Sequence, residues 1–132
     1  MKIAEVLPQF PNRLWSLAKQ AGVTHAVARL PVDSNGQISY EYMDMLHLKK
    51  RFDDFGFKLE VIEPGIDSQM HNMKLGINGR DEDIENCKKL IRNMGALDIP
   101  VFCYNFMAQF NWLRTSVSTV ARGGATVTSY DH

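Results

Sequence analysis

Cysteine is scarce in this chain: among its 132 residues there are only 2, Cys87 and Cys103. They have no C-x-x-C spacing and no secretory signal ahead of them. That pattern argues against a disulfide framework or a zinc finger and for a reduced, cytoplasmic protein. Long apolar runs are missing as well. None approaches membrane-spanning length, and the N-terminus lacks a signal-peptide pattern. Neither sign of charge is in surplus, because 15 Lys and Arg balance 15 Asp and Glu. There is then no electrostatic case for nucleic acid or an anionic membrane as partner. The glycine patterns of dinucleotide and phosphate-loop binding are absent too, so nothing recommends a nucleotide site.

What is present suits one globular domain: 45% of residues are apolar and 23% charged. Strand and helix signals alternate. Lys2 to Leu7 reads as a strand stopped by Pro8 and Pro11. Asn12 caps a helix to Ala21 with Leu14, Trp15, Leu17, Ala18 and Ala21 on its apolar side, ended by Gly22. Thr24 to Leu30 is a second strand, closed by Pro31 and the turn residues Asp33 to Gly36. Ser39 caps a helix over Tyr40 to Phe55, striped by Met45, Leu48, Phe52 and Phe55 and ended by Gly56. Lys58 to Glu63 is a third strand.

Ile66 to Arg80 is irregular, with the character of a long binding loop. A helix from about Asp81 to Met94 follows. Acidic residues come early in it and basic ones late, which complements the helix dipole. Ile84, Cys87, Ile91 and Met94 make its expected buried stripe, and Gly95 its stop. Ile99 to Cys103 is an apolar run of the kind buried on both faces of a sheet. Ser116 to His132 shows no clear element. Alternation of this kind means parallel strands with right-handed crossovers, closed as a small doubly wound sheet or as half of an eight-stranded barrel.

After the fourth strand the chain turns polar without becoming loose. Tyr104, Asn105, Gln109, Asn111, Trp112 and Arg114 crowd a segment with no Gly and no further Pro. Strand ends that deliver such groups are where α/β proteins build ligand sites. Here "CYNFM" followed by Trp112 and Arg114-Thr115, together with "GRDEDIENCKKLIRN" upstream, resembles the mannonate dehydratase family. Ala108, Asn111, Leu113 and Ser116 depart from that family's usual residues, as does the Ala28 to Pro31 segment. The resemblance implies an α/β fold of parallel (β/α) units forming the N-terminal half of a TIM barrel, related to the xylose isomerase-like barrels. It implies dehydration of D-mannonate to 2-keto-3-deoxy-D-gluconate with a divalent metal, typically Mn2+. The metal ligands, histidines with a cysteine and an aspartate, are expected from strands beyond this sequence. The chain alone is expected to be incomplete and inactive.

Dehydration beside a carboxylate needs a base, a stabiliser for the enediolate, and an acid for the departing hydroxide. Arg114 suits two parallel hydrogen bonds to a carboxylate; a surface ion pair is its plainer reading. Asn105 can bind a sugar hydroxyl or simply form a turn. Trp112 joins them as a candidate wall of the substrate site. Glu63, at the end of the third strand, has a barrel-top position from which it can reach substrate, or it faces water. His71 is the weak acid–base candidate; a loop histidine is more often merely exposed. Cys103 and Cys87 read as small core residues. His25 and His47 have no ligand partner at a useful spacing. The expected partners are a small sugar acid and, through the open barrel edge, another copy of the chain. A sugar isomerase or epimerase of the same superfamily and a non-catalytic, dimerising half-barrel are the competing readings.

Overall fold

A computed structural model describes residues 1–64, 70–107 and 113–132. Its core begins at one side chain. Helix α1 (Arg13–Gln20) starts where the Asn12 side chain accepts a hydrogen bond from the Leu14 amide at 2.9 Å. This places Trp15 inward. Its indole stacks on Phe52 of helix α2 (Tyr42–Asp54) at 4.4 Å and meets Phe57 edge-on at 5.7 Å. The indole N–H donates to the Pro8 carbonyl at 3.0 Å, so the buried ring leaves no polar atom unpaired. Ser39 acts earlier than a helix cap should. Its hydroxyl accepts from the Glu41 amide at 3.1 Å and donates to Asp44, and the helix begins at Tyr42.

Strands β1 (Ala4–Val6), β2 (His25–Ala28), β3 (Lys58–Ile62) and β4 (Val101–Phe102) lie side by side in that order, all parallel. Helix α1 bridges the first pair and α2 the second. The short α3 (His71–Leu75) and the long α4 (Arg80–Ala96) lie between β3 and β4. One face of the sheet is packed: Leu7, Ala26, Ala28, Leu59 and Ile62 are buried beneath the helices. The other face alternates with it and is bare. A doubly wound sheet is covered on both sides, so the structure decides for barrel-type units.

The bare face has a regular layout. The register aligns Val6 with Val27, Val27 with Val61 and Val61 with Val101, a single row across all four strands. Its centre is half-buried, while its ends, Val6 and Val101, are 46% and 42% exposed. Below this row, β3 carries one residue more than β2 over the same stretch, Glu60. The Glu60 carboxylate pairs with Lys2 and has His25 Nε2 at 3.8 Å and Lys58 Nζ at 3.9 Å. Its hydrogen bond to Lys2 and the surrounding positive charge hold Glu60 below the usual carboxylate pKa.

Several expectations change. The fourth strand is not buried on both faces, because it is an edge with no described neighbour beyond it. In α4 the buried residues are Leu90 and Met94, while Ile84 and Ile91 are exposed. The helix runs through Gly95. The reversal comes instead at Asp98, whose φ of 53° is left-handed, and Ile99 N donates to the Met94 carbonyl at 2.9 Å. The tail is a hairpin, β5 (Ser116–Val120) paired antiparallel with β6 (Thr126–Ser129). Gly123 and Gly124, at φ 72° and 79°, turn it.

Replacing Trp15 with Ala should cost roughly 3–5 kcal/mol of stability in urea unfolding, the usual penalty for emptying an aromatic core site. Glu60→Gln should be less stable than the parent at neutral pH. Because the folded-state pKa of Glu60 is depressed, its contribution is present above the unfolded-state value and fades as pH falls through the folded-state one. The gap between the two proteins in a pH series of thermal melts should therefore close in acid.

Candidate functional site

Ladder hydrogen bonds carry the strands' alternation past their formal ends. Glu63 N donates to the Ala28 carbonyl at 2.9 Å, and Cys103 N to the Ile62 carbonyl at 2.9 Å. Burial alternates residue by residue from His25 to Leu30 and from Val61 to Pro64. Arg29, Glu63 and Cys103 therefore follow the valine row on the bare face, one pleat nearer the C-terminal rim. Barrel enzymes place substrate-binding groups at that rim. Arg29 and Glu63 sit half-buried on adjacent strands, yet no ion pair joins them among the described residues.

Asn105 lies two residues beyond Cys103. Its Oδ1 accepts from the Met107 amide at 3.2 Å, which makes a tight turn, and from Lys74 Nζ at 3.4 Å. Both bonds use the carbonyl oxygen. The amide NH2 is the end suited to donate to a ligand. Lys74, from α3, is thus brought to the fourth strand's end by a contact that sequence spacing did not suggest.

The remaining candidates are spread out. His71 is exposed at the start of α3. Arg114 is exposed two residues before the hairpin. Trp112 lies outside the described residues. Cys103 is exposed on the bare face, not in a core; Cys87 is half-buried, and burial pushes its thiol pKa up. Tyr40 is raised as well, by burial first and then by the charges of Asp83 and Cys87. Arg29 was overlooked because a lone arginine in an apolar strand carries no motif. Its signal was the alternation His25, Val27, Arg29 against Ala26, Ala28, Leu30.

A cavity of about 240 Å³ opens between α3, α4 and the segment after β4. Phe102 and Ile91 line it, so it lies on the helix side of the sheet, away from Arg29 and Glu63. Its walls are apolar apart from Lys74 and Asn105, a poor match to a polyhydroxylated acid.

The D-mannonate dehydratase (UxuA) family model matches residues 11–132. The chain belongs to the mannonate dehydratase family. It is 38% identical over 112 residues to the Thermotoga maritima mannonate dehydratase, covering 84% of this chain and 29% of that protein. It is 37% identical over 111 residues to the Geobacillus thermodenitrificans enzyme, covering 83% and 28%. The crystal structure of mannonate dehydratase from Streptococcus suis serotype 2 superposes with a TM-score of 0.76 at 32% identity, over 97% of this chain and 36% of that one. The chain thus spans under a third of the length of these curated relatives, and its parallel sheet is part of the family's TIM-barrel-type fold.

The two thiols of this mannonate dehydratase family member should differ in reactivity. Alkylation needs the thiolate and access to it, so iodoacetamide should label Cys103 at least ~10-fold faster than Cys87 at neutral pH, read by peptide mass spectrometry.

Proposed function

We propose that this chain supplies one side of the substrate rim of a mannonate dehydratase-type hydro-lyase, and that further strand–helix units supply the rest. The carrying observation is the pair Arg29 and Glu63, adjacent on the inward face at the strand ends and not neutralised by each other. Arg29 presents a planar fork that grips a carboxylate with two parallel hydrogen bonds. Glu63 accepts hydrogen bonds from sugar hydroxyls. Together they orient a sugar acid so that its carboxylate lies over β2 and its hydroxyls over β3. Asn105, which lines the cavity on the helix side, remains a separate candidate for a sugar hydroxyl. Arg114 and Trp112 remain candidates for substrate binding, and His71 for proton transfer.

The divalent metal implied for the whole enzyme does not fit the residues present. Among the described residues no group of three or more His, Cys, Asp or Glu side chains is placed to hold an ion. At the rim, moreover, Arg29 sets a positive charge beside Glu63. The role drawn for this chain is therefore binding and orientation. No helix among the described residues is long and apolar enough to cross a membrane. A reduced cytoplasmic setting belongs to the same proposal, with both thiols free.

Grafting this chain over the matched segment of the Thermotoga maritima enzyme tests the reading. The hybrid should dehydrate D-mannonate, and Arg29→Ala within it should lower kcat/KM by about 10–100-fold, the loss of one bidentate carboxylate contact. A folded hybrid that interconverts aldoses and ketoses and leaves mannonate untouched would move the assignment to a sugar isomerase. Full activity with Arg29→Ala would remove Arg29 from the site.

A further inference from the structure

The sequence holds two Asn-Gly pairs, Asn35-Gly36 and Asn78-Gly79, and the fold treats them differently. We infer that Asn78-Gly79 is a site of spontaneous covalent modification, where the asparagine loses ammonia through a succinimide and becomes aspartate or isoaspartate. Water is the only co-reactant, and neither substrate nor metal takes part.

The chemistry uses the amide nitrogen that follows the asparagine. Once hydroxide has removed its proton, Gly79 N attacks the side-chain carbonyl carbon of Asn78. The new C–N bond closes a five-membered ring, and the C–NH2 bond breaks. Ammonia leaves with that electron pair and takes a proton from water. Water then opens the ring at one of its two carbonyls. Opening at the side-chain carbonyl gives aspartate. Opening at the backbone carbonyl gives isoaspartate, whose main chain is longer by one methylene. Nothing is oxidised or reduced.

Exposure does not separate the pairs, since all four residues are exposed. Hydrogen bonding does. Gly36 N donates to the Asp33 carbonyl at 3.0 Å, and its proton must give up that bond before it can leave. The Asp33 carboxylate ties the same turn, accepting from the Asn35 and Gln37 amides at 2.8 Å each. Gly79 N donates to nothing among the described residues. It stands just before the first turn of α4, where amides have no partner within the helix. Glycine is also required there: φ is 93°, and a Cβ would stand 2.8 Å from Asn72 Nδ2. No side chain of its own therefore shields the nitrogen.

The consequence falls on α3. The Ile77 and Gly79 carbonyls accept from Arg80 N and Asp83 N at 3.1 Å each, and the Asp83 carboxylate reaches back to accept from Met73 N at 3.0 Å. These bonds lie on both sides of the Asn78-Gly79 peptide. An isoaspartate puts an extra carbon between them, so they cannot all keep their length, and α3 loosens from α4.

The test is to incubate the purified chain at mildly alkaline pH and follow its tryptic peptides by mass spectrometry. Trypsin isolates Asn78 in the peptide from Leu75 to Arg80. Conversion of amide to acid should run at least ~10-fold faster at Asn78 than at Asn35, the rate weight of one hydrogen bond. In the urea-unfolded chain the two rates should converge, because only the fold tells the pairs apart. Asn78→Ser should abolish the change in that peptide and keep the far-UV circular dichroism of the parent. In the isoaspartate fraction, separated by chromatography, the amides of α3 should exchange with deuterium faster than in the parent, and those of α1 at the same rate. Equal rates in the folded chain, a faster Asn35, a difference that persists in urea, or unchanged exchange over α3 would overturn the inference.

Discussion

Two parallel strands cannot be joined by a tight turn, because the chain must travel back the length of the sheet before it can run the same way again. Every pair in this sheet is therefore bridged by helix, and the right-handed preference of such crossovers puts each helix on the same side. From that constraint come the buried row beneath the helices, the bare valine row opposite, and the delivery of Arg29, Glu63 and Cys103 to one rim. The Trp15–Phe52 stack fixes α1 against α2 and so sets the spacing of the first crossovers.

The bare face is not uniformly apolar, and its layers differ in chemistry. At the N-terminal end sits a carboxylate among cations; in the middle, four valines; at the C-terminal end, an arginine and a glutamate that do not neutralise each other. In barrels the two ends serve different purposes, stability at the bottom and ligand binding at the top. The ion cluster around Glu60 has the first character: its charges meet within the chain. The proposed function gives the Arg29–Glu63 rim the second, since no ion pair joins the two among the described residues.

Most of the architecture could be read from sequence because its signals are local. Asn12 as a cap, Gly22 and Gly56 as left-handed stops and the stripe Met45, Leu48, Phe52 depend on neighbours within a few residues. The misreadings are those that depend on distant packing. Ile84 and Ile91 look like a core stripe by periodicity, yet which side of α4 is buried depends on where α2 stands. The hairpin escaped because neither of its faces is buried, so Ser116 to Val120 shows no apolar alternation. Gly123-Gly124 between β-branched residues was the available clue. The candidate binding residues split the same way. Glu63 and Asn105 follow strand ends and were visible. Lys74 reaches Asn105 only through the fold of α3, and Arg29 reaches the rim only through the phase of β2.

The bulge in β3 has a consequence of its own. Glu60 is the residue without a place in the ladder: Leu59 aligns with Ala26 and Val61 with Val27 on either side of it. A chain lacking Glu60 would keep every later side chain of β3 on its present face. What it would lose is the counter-ion, leaving Lys2, Lys58 and His25 to confront one another. The geometry of this sheet and its charge balance are thus separable by one codon.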